Sequence, residues 1–195
     1  MPDITGLILA GGRGERMGGA DKGWVVHDGI PLIVRVVERF APQVGPLLIS
    51  ANRNLERYAA LGTVVQDEAA HGDRYAGPLI GVLSGLRRAR TEWVAIVPCD
   101  APALPIDLVQ RLASATLAAS AVAGCARVCE RLQPVFALVN TSAVEPLASL
   151  IARGERALHR WLESLDVVAV DFDDASAFAN INTLSITVKS ARNPD

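Results

Sequence analysis

A chain of 195 residues, 50% hydrophobic and 21% charged with a mean hydropathy of +0.27, has the composition of a folded globular protein; disordered, low-complexity and collagen-like classes are excluded. Nineteen basic against twenty-one acidic side chains leave a net charge of −2, too balanced for a general electrostatic grip on nucleic acid or an anionic bilayer. At this length roughly 70% of the unfolded surface can be buried, so one core needs no disulfide or metal staple.

Short Val/Ile/Leu-rich runs alternate with segments of helical periodicity, which predicts an α/β fold with a mostly parallel sheet and helices on both faces. In chain order the spacing predicts a strand at Ile4 to Ala10, a helix at Leu32 to Phe40, a strand at Leu47 to Ala51, a helix at Leu55 to Leu61 and a strand at Thr63 to Gln66. A helix at Leu79 to Arg90, a strand at Trp93 to Pro98 and a helix at Ile106 to Ala118 follow. Two apolar runs, Ala121 to Ala126 and Val135 to Val139, flank a charged connection and suggest a hairpin or a mixed edge in the second half. Helices at Ser142 to Ala152 and Arg156 to Leu165 and a strand at Val167 to Phe172 complete the series. No linker divides the chain, so residues 1–195 are expected to form a single Rossmann-like domain.

The first residues, Met-Pro-Asp-Ile-Thr, lack the basic start and apolar run of a secretory signal. The longest uncharged stretch, Leu112 to Ala126, falls short of the roughly 18 to 20 apolar residues of a membrane span. A cytoplasmic location without membrane contact is expected. Cys99, Cys125 and Cys129 are an odd number, expected to be reduced. Cys125 and Cys129 read as small core residues, because no second pair follows to complete a zinc site. Trp24, Trp93 and Trp161 read as packing residues, since no basic stripe accompanies them.

In open α/β sheets ligands lie beyond the carboxyl ends of the strands. The first exit runs Leu9-Ala10-Gly11-Gly12-Arg13-Gly14-Glu15-Arg16-Met17-Gly18-Gly19-Ala20-Asp21-Lys22-Gly23. Its glycines let backbone amides turn inward as an anion nest, and Arg13, Arg16 and Lys22 add the cations a triphosphate needs. A dinucleotide fingerprint fails at Met17, and a P-loop fails because neither Ser nor Thr follows Lys22; a solvated loop is the other reading. Val94-Ala95-Ile96-Val97-Pro98-Cys99-Asp100 delivers a carboxylate to a second exit. There Asp100 fits a Mg²⁺ ligand as well as it fits a helix N-cap. Asp67 also follows a strand, and Gly77-Pro78-Leu79-Ile80-Gly81 opens a helix with small residues that allow close approach of a flat ring. No Ser-His-Asp or reactive-cysteine arrangement is present, and His71 is given no catalytic duty.

Leu9-Ala10-Gly11-Gly12, Arg16-Met17-Gly18-Gly19, Asp21-Lys22-Gly23, Gly77-Pro78-Leu79 with Gly81, Pro98-Cys99-Asp100-Ala101-Pro102 and Asn180-Ile181-Asn182-Thr183 together resemble the molybdenum cofactor guanylyltransferase family. The likeness spans nearly the whole chain. It implies transfer of GMP from Mg·GTP to the phosphate of molybdenum-loaded molybdopterin, with release of pyrophosphate, by a nucleotide-binding half (1–100) and a molybdopterin-binding half (101–195). By match it places Leu9, Ala10, Gly11 and Gly12 against the nucleotide, Lys22 and Arg16 on its phosphates and Asp100 on Mg²⁺. It assigns Asp67, Gly77, Pro78 and Leu79 to the nucleotide pocket, and Asn180, Asn182 and Arg156 to the pterin. Ser50 stands where Asn is often found, so Ser50 or Asn52 takes that contact; Leu184 stands where proline is common. Gly11 leaves room for a purine where cytosine-using relatives carry Ala. Balanced charge and modest size lead to the expectation of a monomer with no nucleic-acid partner, and the resemblance implies transient contact with molybdenum-insertion proteins or apo-molybdoenzymes. Alternatives are a sibling using CTP or a sugar phosphate, and a non-catalytic nucleotide-binding adaptor.

Overall fold

The computed structural model describes residues 2–11, 21–67 and 77–181. Gly12, Arg16, His71 and Asn182 therefore lie outside the described residues. The first strand, β1 (Ile4–Leu9), is followed by a 3-10 turn at Lys22–Trp24, a small ribbon of β2 (Val26–His27) and β3 (Ile30–Pro31), and α1 (Leu32–Phe40). Next come β4 (Leu47–Ser50), α2 (Leu55–Ala59), β5 (Thr63–Val65), α3 (Pro78–Arg88) and β6 (Trp93–Pro98). The second half contributes α4 (Leu108–Ala118), β7 (Ala123–Val128), β8 (Arg131–Asn140), α5 (Val144–Ala152), α6 (Leu158–Glu163) and β9 (Val167–Asp171).

Seven strands form one sheet in the order β5-β4-β1-β6-β8-β7-β9. All run parallel except β8, which pairs antiparallel with β6 and β7. The mixed region expected in the second half is thus inside the sheet, with β9 restored parallel at its edge. Every residue of β6 is buried, as a central parallel strand covered on both faces requires. One core lies under α1 and α4, around Ile8, Val36, Phe40, Val97 and Leu112; the other lies under α3, α5 and α6, around Leu7, Leu83, Ile96, Leu147 and Trp161. No helix among the described residues is long and apolar enough to cross a membrane.

Boundaries move where local chemistry overrides periodicity. The hairpin strands extend to Val128 and from Arg131, because Cys129 and Glu130 both take positive φ (46° and 61°) and close a two-residue turn. Helix α4 begins at Leu108 behind Asp107, leaving Ile106 in the preceding turn and 72% exposed. The Glu155 carboxylate accepts from the backbone N–H groups of Arg156 and Ala157, both at 2.8 Å, and delays α6 to Leu158. Between Lys22 and Leu32, where periodicity predicts nothing, Asp28 and Gly29 at φ 49° and 78° make the turn of the β2–β3 ribbon.

Helix α3 sits unusually close to the sheet. Added Cβ atoms would strike Ser50 Oγ at 2.5 Å from Gly81 and would overlap Leu7 from Gly85. Leu7 is fully buried and has nowhere to retreat. Gly85→Ala is expected to lower stability by about 1–3 kcal/mol, read as a lower urea midpoint at unchanged slope; an unchanged midpoint would show that this packing has slack.

Candidate functional site

The carboxyl ends of β5, β4, β1 and β6 finish level with one another, because main-chain pairing continues one residue past each strand. Ala51 N–H donates to Val65 O (3.0 Å), Ala10 N–H to Ser50 O (2.9 Å) and Cys99 N–H to Leu9 O (3.2 Å). Asp67, Asn52, Gly11 and Asp100 are consequently brought to one edge in strand order. Three inter-strand steps separate its ends, roughly 14 Å, room for an extended nucleotide to lie along the edge.

At the β6 end, Lys22 Nζ lies 3.2 Å from Asp100 Oδ2. The Asp100 side chain is 7% exposed and that of Lys22 is 42% exposed, so the lysine remains open to a ligand. The N-cap reading of Asp100 is overturned, since Asp107 holds that position for α4. At the β5 end, Asn52 Nδ2 donates to Asp67 Oδ2 (2.7 Å) and Asp67 N–H donates to Asn52 Oδ1 (2.9 Å). The other oxygen of Asp67, Oδ1, is buried without a hydrogen-bond partner among the described residues. Burial pushes this carboxyl above its ordinary value, and the Asn52 bond offsets part of the rise. Asn52 is exposed at this exit, whereas Ser50 is 1% exposed and packs against Gly81.

Gly11 is exposed beside this pair, and an added Cβ would make only ordinary contacts, 3.6 Å from Asn52 Nδ2 and 3.8 Å from Ser50. Leu9 is half-buried and Ala10 buried. Gly77, at φ 85° and ψ −176°, opens α3 with Pro78 following it, a conformation that favours glycine. The side chain of Leu79 is fully buried in the core, so it can offer a ligand only backbone. The close approach that Gly81 permits is that of α3 to Ser50, which leaves exposed Gly77 and Pro78 as the part of this segment open to a flat ring.

The C-terminal segment reaches the same edge. Ile181 N–H donates to Asp100 O at 2.9 Å, which brings exposed Asn180 to the backbone at the β6 exit. Arg156 is elsewhere: its carbonyl would lie 3.3 Å from a Cβ on Gly77, and its Nη1 donates to the carbonyls of Ile151 (3.0 Å) and Glu155 (2.8 Å). The structure brings Arg156 to the nucleotide-assigned Gly77 and does not group it with Asn180.

Sequence reasoning missed Asp21 and its partners. The Asp21 carboxylate, 6% exposed, accepts from Tyr58 Oη (2.6 Å), Asn54 Nδ2 (2.8 Å) and Gly23 N–H (3.3 Å), and Arg53 Nε lies 3.7 Å away. Trp24 packs against Tyr58 with centroids 5.2 Å apart and ring planes tilted by 48°, and the Arg57 guanidinium sits 3.8 Å over the indole; this is the packing role expected of Trp24. Cys99 is no nucleophile, because burial and then the Asp100 and Asp21 carboxylates push its thiol far up. The Cys125 thiol, buried in β7, is pushed up to about 12 by desolvation, whereas Cys129 is exposed on the hairpin turn. Among the described residues no group of three His, Cys, Asp or Glu side chains could hold a metal.

A sequence profile described as the MobA-like NTP transferase domain matches residues 6–169. A molybdenum cofactor guanylyltransferase of Cupriavidus metallidurans is 46% identical over 187 residues, covering 93% of this chain and 91% of that protein. Among solved structures, molybdopterin-guanine dinucleotide biosynthesis protein A of Archaeoglobus fulgidus is similar at a TM-score of 0.75 and 22% identity, covering 96% of this chain and all of that one. A Mycobacterium tuberculosis protein crystallised in complex with manganese shares the fold at a TM-score of 0.65 and 17% identity, covering 89% of this chain and 90% of that one.

Because the folded-state pKa of Asp67 is raised, the folded protein holds a proton that the unfolded chain has already released. Stability therefore falls as pH rises from about 3.8 towards the raised value. Asp67→Asn removes that slope. The stability difference between variant and parent, from urea unfolding at a series of pH values, should grow in favour of the variant across this interval and then level; parallel curves would contradict it.

Proposed function

The chain belongs to the MobA-like NTP transferase family, and on that footing we propose a residue-level route for GTP-dependent guanylyl transfer, its reaction in molybdenum cofactor biosynthesis. The observation that carries the route is the ordered edge. The carboxylate–amide pair Asp67–Asn52 stands at one end, and the cation–carboxylate pair Lys22–Asp100 stands at the other.

The base lies at the Asp67 end. Guanine presents N1–H and N2–H₂ as adjacent donors on one edge, and a carboxylate can accept both; cytosine presents a single donor group there. For this pairing the carboxyl of Asp67 turns its buried, unpartnered Oδ1 towards the base, where the donor gained offsets the cost of leaving that oxygen unpaired. Gly11 keeps the floor low beneath the purine, and the peptide at Gly77 and Pro78 walls the pocket.

The triphosphate extends past Gly11 to Lys22, whose ammonium exchanges part of its contact with Asp100 for phosphate oxygens. Asp100 fits Mg²⁺, since a single well-buried carboxylate with remaining positions filled by phosphates and water is that ion's usual holding. When bound, the ion neutralises charge between donor and acceptor phosphates. Arg16 and Gly12 complete the phosphate contacts by their place in the motif. From the β6 side Asn180, joined by Asn182 through its place in the motif alone, orients the pterin so that its phosphate oxygen faces the α-phosphorus in line. A new P–O bond forms there as the α–β bridge bond breaks, and the bond electrons leave with pyrophosphate. Lys22 offsets the repulsion between two anions, and no covalent intermediate is needed. Arg156 contributes through the pocket wall at Gly77. A monomer in the cytoplasm, passing its product to insertion proteins or apo-molybdoenzymes, completes the proposal.

Lys22→Ala and Asp100→Ala should each lower kcat by roughly 10²- to 10³-fold in an assay of GTP, Mg²⁺ and molybdenum-loaded molybdopterin that follows guanine dinucleotide formation. Near-normal turnover by either variant would refute the assignment. Gly11→Ala should fold normally, given the ordinary contacts of the added methyl. It should lower the kcat/KM preference for GTP over CTP by roughly tenfold or more; an unchanged preference would remove Gly11 from base selection.

A further inference from the structure

We infer that Asp21 is a positioning residue for the transfer reaction: locked between Tyr58 and Asn54, it fixes the backbone from which Lys22 reaches the phosphates. The inference rests on the assignment of Lys22 to the phosphates of GTP.

Lys22 carries its charge on a flexible four-carbon stem, so where the ammonium can go depends on where the stem begins. Asp21 precedes it and caps the turn Lys22–Trp24 through the Gly23 N–H. A carboxylate only 6% exposed must be paired. Among the described residues its other partners come from one short stretch of chain, Arg53, Asn54 and Tyr58. The Tyr58 hydroxyl is held far above its ordinary value by burial and by Asp21 itself, so it stays a proton donor throughout the working pH range. Gly23 closes the arrangement from the other side: an added Cβ would lie 2.6 Å from Tyr58 Oη and 3.3 Å from Ile33.

The same stretch holds the opposite end of the nucleotide edge. Asn52 is bonded twice to Asp67, while Asn54, two residues on and at φ 51°, is bonded to Asp21. The segment 52–54 thereby ties the carboxylate at the base end to the carboxylate beside Lys22. A nucleotide whose base seats correctly against Asp67 meets a lysine already held at the matching distance. Because placement rather than affinity is affected, loss of the Asp21 contacts lowers kcat more than it raises KM for GTP.

The test uses the full-length protein with GTP, Mg²⁺ and molybdenum-loaded molybdopterin, comparing Tyr58→Phe, Asn54→Ala and Lys22→Ala with the double variants that combine each of the first two with Lys22→Ala. Tyr58→Phe keeps the buried ring and deletes one bond, so the fold is retained even if Asp21→Asn fails to fold. The expected result is a fall in kcat of roughly 10- to 100-fold in Tyr58→Phe, a change in KM for GTP of less than about threefold, and little further loss when it is added to Lys22→Ala. Asn54→Gln, which restores an amide donor, should recover part of what Asn54→Ala loses. Normal turnover of Tyr58→Phe, or losses that multiply fully with Lys22→Ala, would overturn the inference and leave the Lys22 assignment standing. Normal turnover of Lys22→Ala itself would refute that assignment instead.

Discussion

The site depends on four parallel strands ending together. Parallel pairing of β5, β4, β1 and β6 obliges each connection to return to the far end of the sheet, so every strand releases its chain on the same side. The residues released there, Asp67, Asn52, Gly11 and Asp100, are far apart in sequence and adjacent in space for this reason alone. Main-chain bonds beyond the strand ends, from Ala10, Ala51 and Cys99, hold those exits in step. The chemistry then needs only the right side chain at each exit.

Charge placement along that edge is graded. Lys22 sits next in sequence to one buried carboxylate, Asp21, and makes its ion pair with another, Asp100. A pair whose lysine is 42% exposed contributes little to stability, about 0–1 kcal/mol, so its geometry is not explained by any need to hold the fold. It presents a cation next to a hard oxygen donor, ready for a polyanionic ligand. At the other end Asp67 retains a buried oxygen with unused accepting capacity, a cost that makes sense where a ligand supplies the donors.

Much of this was legible in the sequence because buried parallel strands announce themselves. β1, β6 and α1 stand where apolar runs and helical spacing place them, and the glycine-rich motif with Lys22 and the strand ending at Asp100 mark the two exits that meet. What escaped has physical causes. The hairpin itself was expected, but its turn at Cys129–Glu130 closes without glycine, so its strands looked shorter than they are. The Asp28-Gly29 turn is a recognisable hairpin signal, but its strands are only two residues long. Asp21 looked like one more charge in a solvated motif, because its partner Tyr58 lies in a short helix whose pattern reads as core. Ser50 and Gly81 look available to a ligand in sequence, yet they are spent on bringing α3 against the sheet.

One contact fixes when the site can close. The amide of Ile181 reaches back to the carbonyl of Asp100, joining the last described residue to a strand exit near the middle of the chain. During synthesis, domains assemble from the amino terminus as the polypeptide emerges. All seven strands share one sheet and a domain folds as a unit, so the strand exits and the Ile181 contact close together. On the proposed route, the capacity to hold the nucleotide and the capacity to transfer from it therefore arise together, once residue 181 has been made.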